Sequence, residues 1–188
     1  MIPYTTVNDG RITLRPFQFE DSGELYAAVS ESLADLKLWM SWVHDGYSRQ
    51  EAREFIAITR ARWDEETLYG FAITDAGTGA LLGGCSLSHI NPVYYYCNLG
   101  YWVRSSHRGQ GIAGRAARQA ARFAFEKAGL IRVEVVVAVG NEASLRVAEK
   151  IGAQREGLQR NRITVGKNIY DALMFSFIPQ DFNLPAGL

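Results

Sequence analysis

Apolar and polar positions along this chain alternate between a period of two and a helical period. Arg11-Ile12-Thr13-Leu14-Arg15 alternates and predicts a half-buried strand. A short helix is expected from Asp21, with Glu24 three residues on as its capping-box partner, and Ser48 with Glu51 repeats that signature. Behind the second pair, Ala52, Phe55, Ile56, Thr59 and Trp63 form an apolar stripe at helical spacing. The period then falls to two. Leu68 to Ile73, Leu81 to Ile90 and Tyr94 to Val103 read as strands, broken at Asp75-Ala76-Gly77-Thr78-Gly79 and at Asn91-Pro92. Connections this short predict an antiparallel meander.

The second half returns to helical spacing. From Ile112 to Lys127 a helix is predicted, with Ile112, Ala116, Ala120, Phe123 and Ala124 as a small-residue packing face opposite Arg115, Arg118, Arg122 and Glu126. Val133 to Val139 is a near-continuous β-branched run, expected as a strand covered on both faces. Asn141 suits the N-cap of a helix through Ile151, which Gly152 terminates, and Ile169 to Ile178 reads as a final strand. The order predicts a mixed α/β (α+β) domain.

Composition narrows the picture. The chain has 188 residues, enough to bury a core, and no repeat or linker interrupts it. A single domain over 1–188 is expected, with its core at about 10–180 and a short flexible tail at 180–188. Twenty basic and twenty acidic side chains cancel, which disfavours direct nucleic-acid binding or attraction to an anionic membrane. The start lacks the marks of a signal peptide, and no apolar run approaches the ~20 residues of a membrane span. Cys85 and Cys97 stand in strand-like sequence with no further Cys, so they are expected as buried small hydrophobes, with no disulfide framework and no metal site. A cytoplasmic location follows as the default.

The chemistry concentrates where a strand ends near Val103 and Gly109, Gly111 and Gly114 lead into a helix. Amides at a helix start are unpaired and the helix dipole lies behind them, so a large anion is stabilised there. Glycines let that anion approach without a Cβ in the way. Gly109-Gln110-Gly111-Ile112-Ala113-Gly114 also fits the G-x-G-x-x-G of dinucleotide-binding folds. That fingerprint normally opens the first βαβ unit and needs an acid at the end of the next strand. Here helices and antiparallel strands come first, and Glu134 sits early in its strand while Gly140 follows its end. A purely structural glycine turn is the remaining alternative.

Arg108-Gly109-Gln110-Gly111-Ile112-Ala113 resembles the R/Q-x-x-G-x-G/A pyrophosphate motif of the GNAT N-acetyltransferase superfamily. Leu99-Gly100-Tyr101-Trp102-Val103 is similar to the preceding strand in its RimJ/RimL-type branch. Asn141-Glu142-Ala143-Ser144, Glu149-Lys150-Ile151-Gly152-Ala153 and Glu156-Gly157 continue that branch's pattern in order, as do Trp39 and Trp42 in the second helical region and Tyr170-Asp171 in the last strand. The resemblance covers roughly residues 10 to 180.

It implies the acyl-CoA N-acyltransferase fold: a central mixed sheet of about seven strands flanked by helices, splayed between the fourth and fifth strands. Acetyl-CoA would lie in the splay as co-substrate. Trp102, Val103 and Arg104 would border its pantetheine arm, with Val103 and Arg104 bonding it through the main chain and the Val103 N–H polarising the thioester carbonyl. Arg108, Gly109, Gln110, Gly111, Ile112, Ala113 and Gly114 would hold the pyrophosphate, with Arg115 as a further cation. Asn141 would contact the pantetheine, and Ser144 would stand near the sulfur and donate a proton to the leaving thiolate. Many relatives use a Tyr four residues later, where this chain has Ala148.

A general base is harder to find. Some relatives place a Glu where this chain has Asn98, and others one after the Glu-Gly turn, where it reads Arg160-Asn161-Arg162-Ile163. Glu134, His89 and His107 are the remaining titratable candidates. An α-amine is roughly one-tenth unprotonated at pH 7, a lysine amine about one part in a few thousand. A site without an obvious base therefore favours a protein N-terminus, consistent with the RimJ/RimL likeness to enzymes that acetylate ribosomal proteins. Trp39, Trp42, Tyr95 and Asn98 are candidates for the acceptor wall, where Tyr94, Tyr95 and Tyr96 cannot all face one side. Alternatives are a small amine acceptor, such as an aminoglycoside, polyamine or amino acid, or a non-catalytic acyl-CoA-binding protein. A homodimer is compatible with all three.

Overall fold

In the computed structural model, residues 2–186 are described. Eight strands form one mixed sheet: β1 (Val7–Asn8), β2 (Ile12–Pro16), β3 (Tyr69–Asp75), β4 (Leu81–Asn91), β5 (Tyr96–Val103), β6 (Arg132–Ala138), β7 (Gln154–Val165) and β8 (Asn168–Phe177). Their order is β1-β2-β3-β4-β5-β6-β8-β7. Among the described residues only the pair β5–β6 is parallel; the meander β3-β4-β5 is antiparallel, as its short turns predict. The helices are α1 (Ser22–Leu36), α2 (Arg49–Asp64), α3 (Ile112–Glu126) and α4 (Glu142–Lys150).

One face of the sheet receives α3 and α4. Ala116, Ala117, Ala120, Ala121 and Ala124 are all fully buried there, so the small-residue face lets α3 lie close against Ile12, Leu14, Phe71, Leu87 and Leu99. On the other face, Leu25, Val29 and Leu36 of α1 and Ala52 and Ile56 of α2 pack with Phe17, Ala72, Leu81 and Trp102. Ser48 caps α2 as its sequence predicts, accepting the Glu51 N–H at 3.2 Å while Glu51 accepts the Ser48 N–H at 2.9 Å. The corresponding expectation at Asp21 and Glu24 fails. Asp21 is held by a bidentate Arg15 and the Gln18 N–H, and Glu24 reaches across to the Leu81 N–H at 2.9 Å.

Four further expectations change. The sheet has eight strands rather than about seven, because Val7–Asn8 pairs at its margin; the fourth and fifth of the seven are therefore β5 and β6. A whole strand, β7, precedes the expected last one, and the Glu156-Gly157 turn lies within it. Trp39 and Trp42 lie in the turn between α1 and α2 rather than on a helix. The tail is anchored as far as Phe182, which is buried in a short 3-10 turn and edge-on to Phe125 and Phe177. Residues 187 and 188 lie outside the described residues.

Candidate functional site

The parallel pair β5–β6 is only half closed. Tyr96, Cys97 and Asn98 pair with Arg132, Val133 and Glu134, and there the ladder stops. Beyond it β5 stays bonded to β4 through Val103, while β6 stays bonded to β8 through Ala138. The two strands thus part without either leaving the sheet. The Arg104 N–H donates to the Leu82 carbonyl on the β4 side at 2.9 Å. Strand alternation therefore turns the Val103 amide to the other edge, into the gap. Gly83 and Gly84 make this end of β5 possible. A Cβ on Gly83 would stand 2.2 Å from the Trp102 carbonyl oxygen, and one on Gly84 2.7 Å from the Trp102 Nε1.

At the foot of the gap lies the glycine turn. Gly109 and Gly111 both adopt positive φ, +75° and +76°, the left-handed conformation that favours glycine. A Cβ built on either meets nothing within 4 Å, so the turn borders open space. Gly111 is the N-cap of α3 and brings no side chain to its first amides. Those amides, with the helix dipole behind them, suit a pyrophosphate. Gly114 has a different reason: a Cβ there would press to 2.9 Å from Ile151 Cγ2, so this glycine permits the close approach of α3 to the end of α4.

A cavity of about 540 Å³ runs from this turn along the gap, a size ordinary for a small-molecule site. It is lined by Trp102, Val103, Arg108, Gly109, Gly111, Ile112, Ala113, Gly114, Asn141 and Ser144, together with Trp39 and His107. Asn141 caps α4, its side-chain oxygen accepting the Ser144 N–H at 3.1 Å. That bond places the Ser144 hydroxyl at the first turn of α4, facing β5.

Sequence reasoning missed several lining residues. Tyr101 stands with its hydroxyl 3.2 Å from Ser144 Oγ, and burial pushes its pKa up to about 12. Arg146 and Lys150, one turn apart on α4, bring two cations to the lining. Their spacing on a predicted helix was the available signal, whereas Tyr101 meets Ser144 only through the fold.

Other expected residues sit elsewhere. Arg104 is absent from the lining: its N–H goes to Leu82, its carbonyl accepts from His107, and its guanidinium grips Glu31 at 2.6 Å. Gln110 is exposed beside the turn and does not line the cavity. Arg108 reaches the lining but is paired with Asp35 at 2.6 Å, and Arg115 turns away to Asp9. Glu134 and Asn98 lie at the closed end of the β5–β6 pair. Glu134 is bound to Arg132 at 3.0 Å, within a group that includes Glu156 and Ser176. Trp42 packs against Tyr47, Phe55 and Trp102, and Tyr95 is exposed in the β4–β5 turn. Trp39 does border the cavity, in contact with Tyr170 and above Gly140. His89 is exposed beside Ser88.

Cys85 and Cys97 are buried, and burial raises both thiols, Cys97 to about 12, as suits packing residues. A second hollow of about 480 Å³, around Tyr4, Arg15, Phe19 and Arg60, shares no residue with the first. Its arginines are engaged, Arg15 by Asp21 and Arg60 by the Phe17 carbonyl and the Tyr4 ring.

Comparison with known proteins bears on the family. Residues 11–154 match the acetyltransferase (GNAT) domain family. The chain is 29% identical over 179 residues to YdaF of Bacillus subtilis (strain 168), named as a candidate ribosomal N-acetyltransferase, covering 95% of this chain and 97% of that one. Among solved structures, a candidate ribosomal-protein-serine acetyltransferase from Vibrio cholerae superposes with a TM-score of 0.82 at 30% identity, over 95% of this chain and 100% of that one. The acetyltransferase MccE, solved with acetyl-CoA and AMP, shares the fold at a TM-score of 0.83 and 21% identity, over 91% and 93%.

Proposed function

Because the chain belongs to the GNAT N-acetyltransferase family, we propose that it moves the acetyl group of acetyl-CoA to the N-terminal α-amine of a protein, by direct attack in a ternary complex. The observation that carries this reading is the half-open β5–β6 pair with the uncapped start of α3 at its foot. A pyrophosphate on the α3 amides and a pantetheine arm along β5 fit that shape, and Arg146 and Lys150 supply charge for phosphate oxygens. The thioester carbonyl would then accept from the Val103 N–H, which stabilises the oxyanion as the amine attacks.

In that step the amine nitrogen forms a bond to the carbonyl carbon. The carbon–sulfur bond breaks, the thiolate leaves and the ammonium proton passes to water. No carboxylate among the described residues lines the gap beside Ser144 and Val103; the one acid in the lining, Asp35, is paired with Arg108. An α-amine, roughly one-tenth unprotonated at pH 7, needs little help there, whereas a lysine amine needs far more. The relatives named for ribosomal acceptors favour the same choice. A protein N-terminus as substrate places the enzyme in the cytoplasm, where such chains emerge.

Release of free thiol from acetyl-CoA tests this, with peptides bearing a free N-terminus, aminoglycosides and polyamines offered in parallel. Turnover on the peptides is expected. Turnover on small amines alone would reassign the acceptor, and binding without turnover on any amine would make the protein an acyl-CoA binder.

A further inference from the structure

Tyr101 and Ser144 come from elements 43 residues apart and meet at the edge of the gap. The Tyr101 hydroxyl lies 3.4 Å from the Ser144 carbonyl oxygen and 3.2 Å from Ser144 Oγ. Toward a carbonyl a phenol can only donate, while between the two hydroxyls either oxygen can be the donor; in one arrangement the phenol proton is forked between two acceptors of one residue, and both distances are long, as in a forked bond. The Ser144 hydroxyl has no other protein partner among the described residues. With the phenol donating to it, its own proton is left for whatever occupies the gap.

We propose that Tyr101 is a positioning residue: it donates to Ser144 Oγ, and so fixes the serine proton toward the sulfur of bound CoA. This rests on the acetyl-CoA reading above and goes beyond it. The role differs from general acid catalysis. A thiol titrates near 8.5, while burial holds the Tyr101 phenol near 12. A proton handed from this pair to the thiolate would run uphill, so the pair stabilises the leaving thiolate as a hydrogen-bond donor. The phenol keeps its proton throughout and polarises the serine. The thiolate leaves as an anion and takes its proton from solvent after release. Hydrogen bonds to a charged acceptor are stronger than those between neutral groups, and this pair aims one at an atom that carries charge only as the bond breaks.

The test reads bound CoA directly. Thiolate absorbance is followed against pH for CoA on the full-length protein, with the complex of a sulfur-free CoA analogue as blank. Wild type is expected to hold a thiolate fraction at pH 7 about tenfold above that of free CoA. Tyr101→Phe, which keeps the ring, is expected to return most of that gain while its CoA affinity stays within about twofold. Turnover should fall about tenfold, and adding Tyr101→Phe to Ser144→Ala should cost nothing further. A wild-type thiolate fraction equal to that of free CoA would overturn the proposal without any variant. So would a Tyr101→Phe protein with wild-type thiolate fraction and turnover. If wild type binds no CoA, the acetyl-CoA reading falls and this inference with it; a bound but unperturbed thiol overturns this inference alone.

Discussion

At the scale of single residues, the site divides into positions that need a backbone shape and positions that need a hydroxyl. Gly111 belongs to the first group, with φ +76° and open space where a Cβ would stand. Gly111→Val puts a β-branched residue into a left-handed conformation and fills the cradle. Acetyl-CoA affinity should fall by about two orders of magnitude while the circular dichroism of the fold persists. Calorimetric titration checks this, and an unchanged affinity would remove the phosphate-turn assignment. Ser144 belongs to the second group. Ser144→Ala should lower turnover roughly tenfold to a hundredfold with acetyl-CoA affinity moved by less than about threefold; equal losses in both would make it a binding residue only. The glycines were legible from sequence because conformational demand marks one residue type. The Tyr101–Ser144 contact was not, because it exists only once β5 and α4 are brought together.

At the scale of elements, legibility followed burial. The stripe of α2 and the alanine face of α3 each pack one side against the sheet, so their periods show in the sequence. β7 is a sheet edge and is exposed along nearly its whole length on both faces, so it carries no alternation to detect. What holds its start is polar. Glu156 takes two bonds from Arg132 and one from Ser176, and the Arg132 guanidinium holds its pKa down to about 2. A carboxylate depressed in the folded state stabilises it above its unfolded pKa of about 4.3, and that stability is lost as pH falls toward 2. Glu156 is partly exposed, so the effect is ~1 kcal/mol or less. Arg132→Met should therefore flatten the loss of urea resistance between about pH 4.5 and 2, and an unaltered pH slope would deny the pair this role. On α4, replacing both Arg146 and Lys150 with Ala should weaken acetyl-CoA binding about tenfold and reduce its salt dependence. Titrations at low and high salt would show it, and an unchanged salt dependence would place both cations outside the phosphate contact.

At the scale of the whole molecule, the sheet is a continuous frame that opens between β5 and β6. β4 and β8 hold the outer sides of β5 and β6, the glycines of β4 let Trp102 and Val103 lie close, and α3 and α4 supply the two walls. The order of the other elements was readable because each announces itself locally, while β1 and β7 did not. The splay was expected only through family likeness, since no local pattern states where a ladder stops. The acceptor side was the least legible. Trp42 and Tyr95 went to packing and to the surface, and only Trp39 reached the cavity. The acceptor is thus inferred from the chemistry of the gap: an amide to hold the oxyanion, a hydroxyl pair for the sulfur and, among the described residues, no free carboxylate in the lining to deprotonate a strong base. One measurement tests that directly. A peptide with both a free N-terminus and an internal lysine is incubated with the protein and acetyl-CoA, and the acetyl group is located by tandem mass spectrometry. Acetylation of the α-nitrogen, with the lysine left free, is the predicted result; acetylation of the lysine alone, or of neither amine while acetyl-CoA is bound, would contradict it.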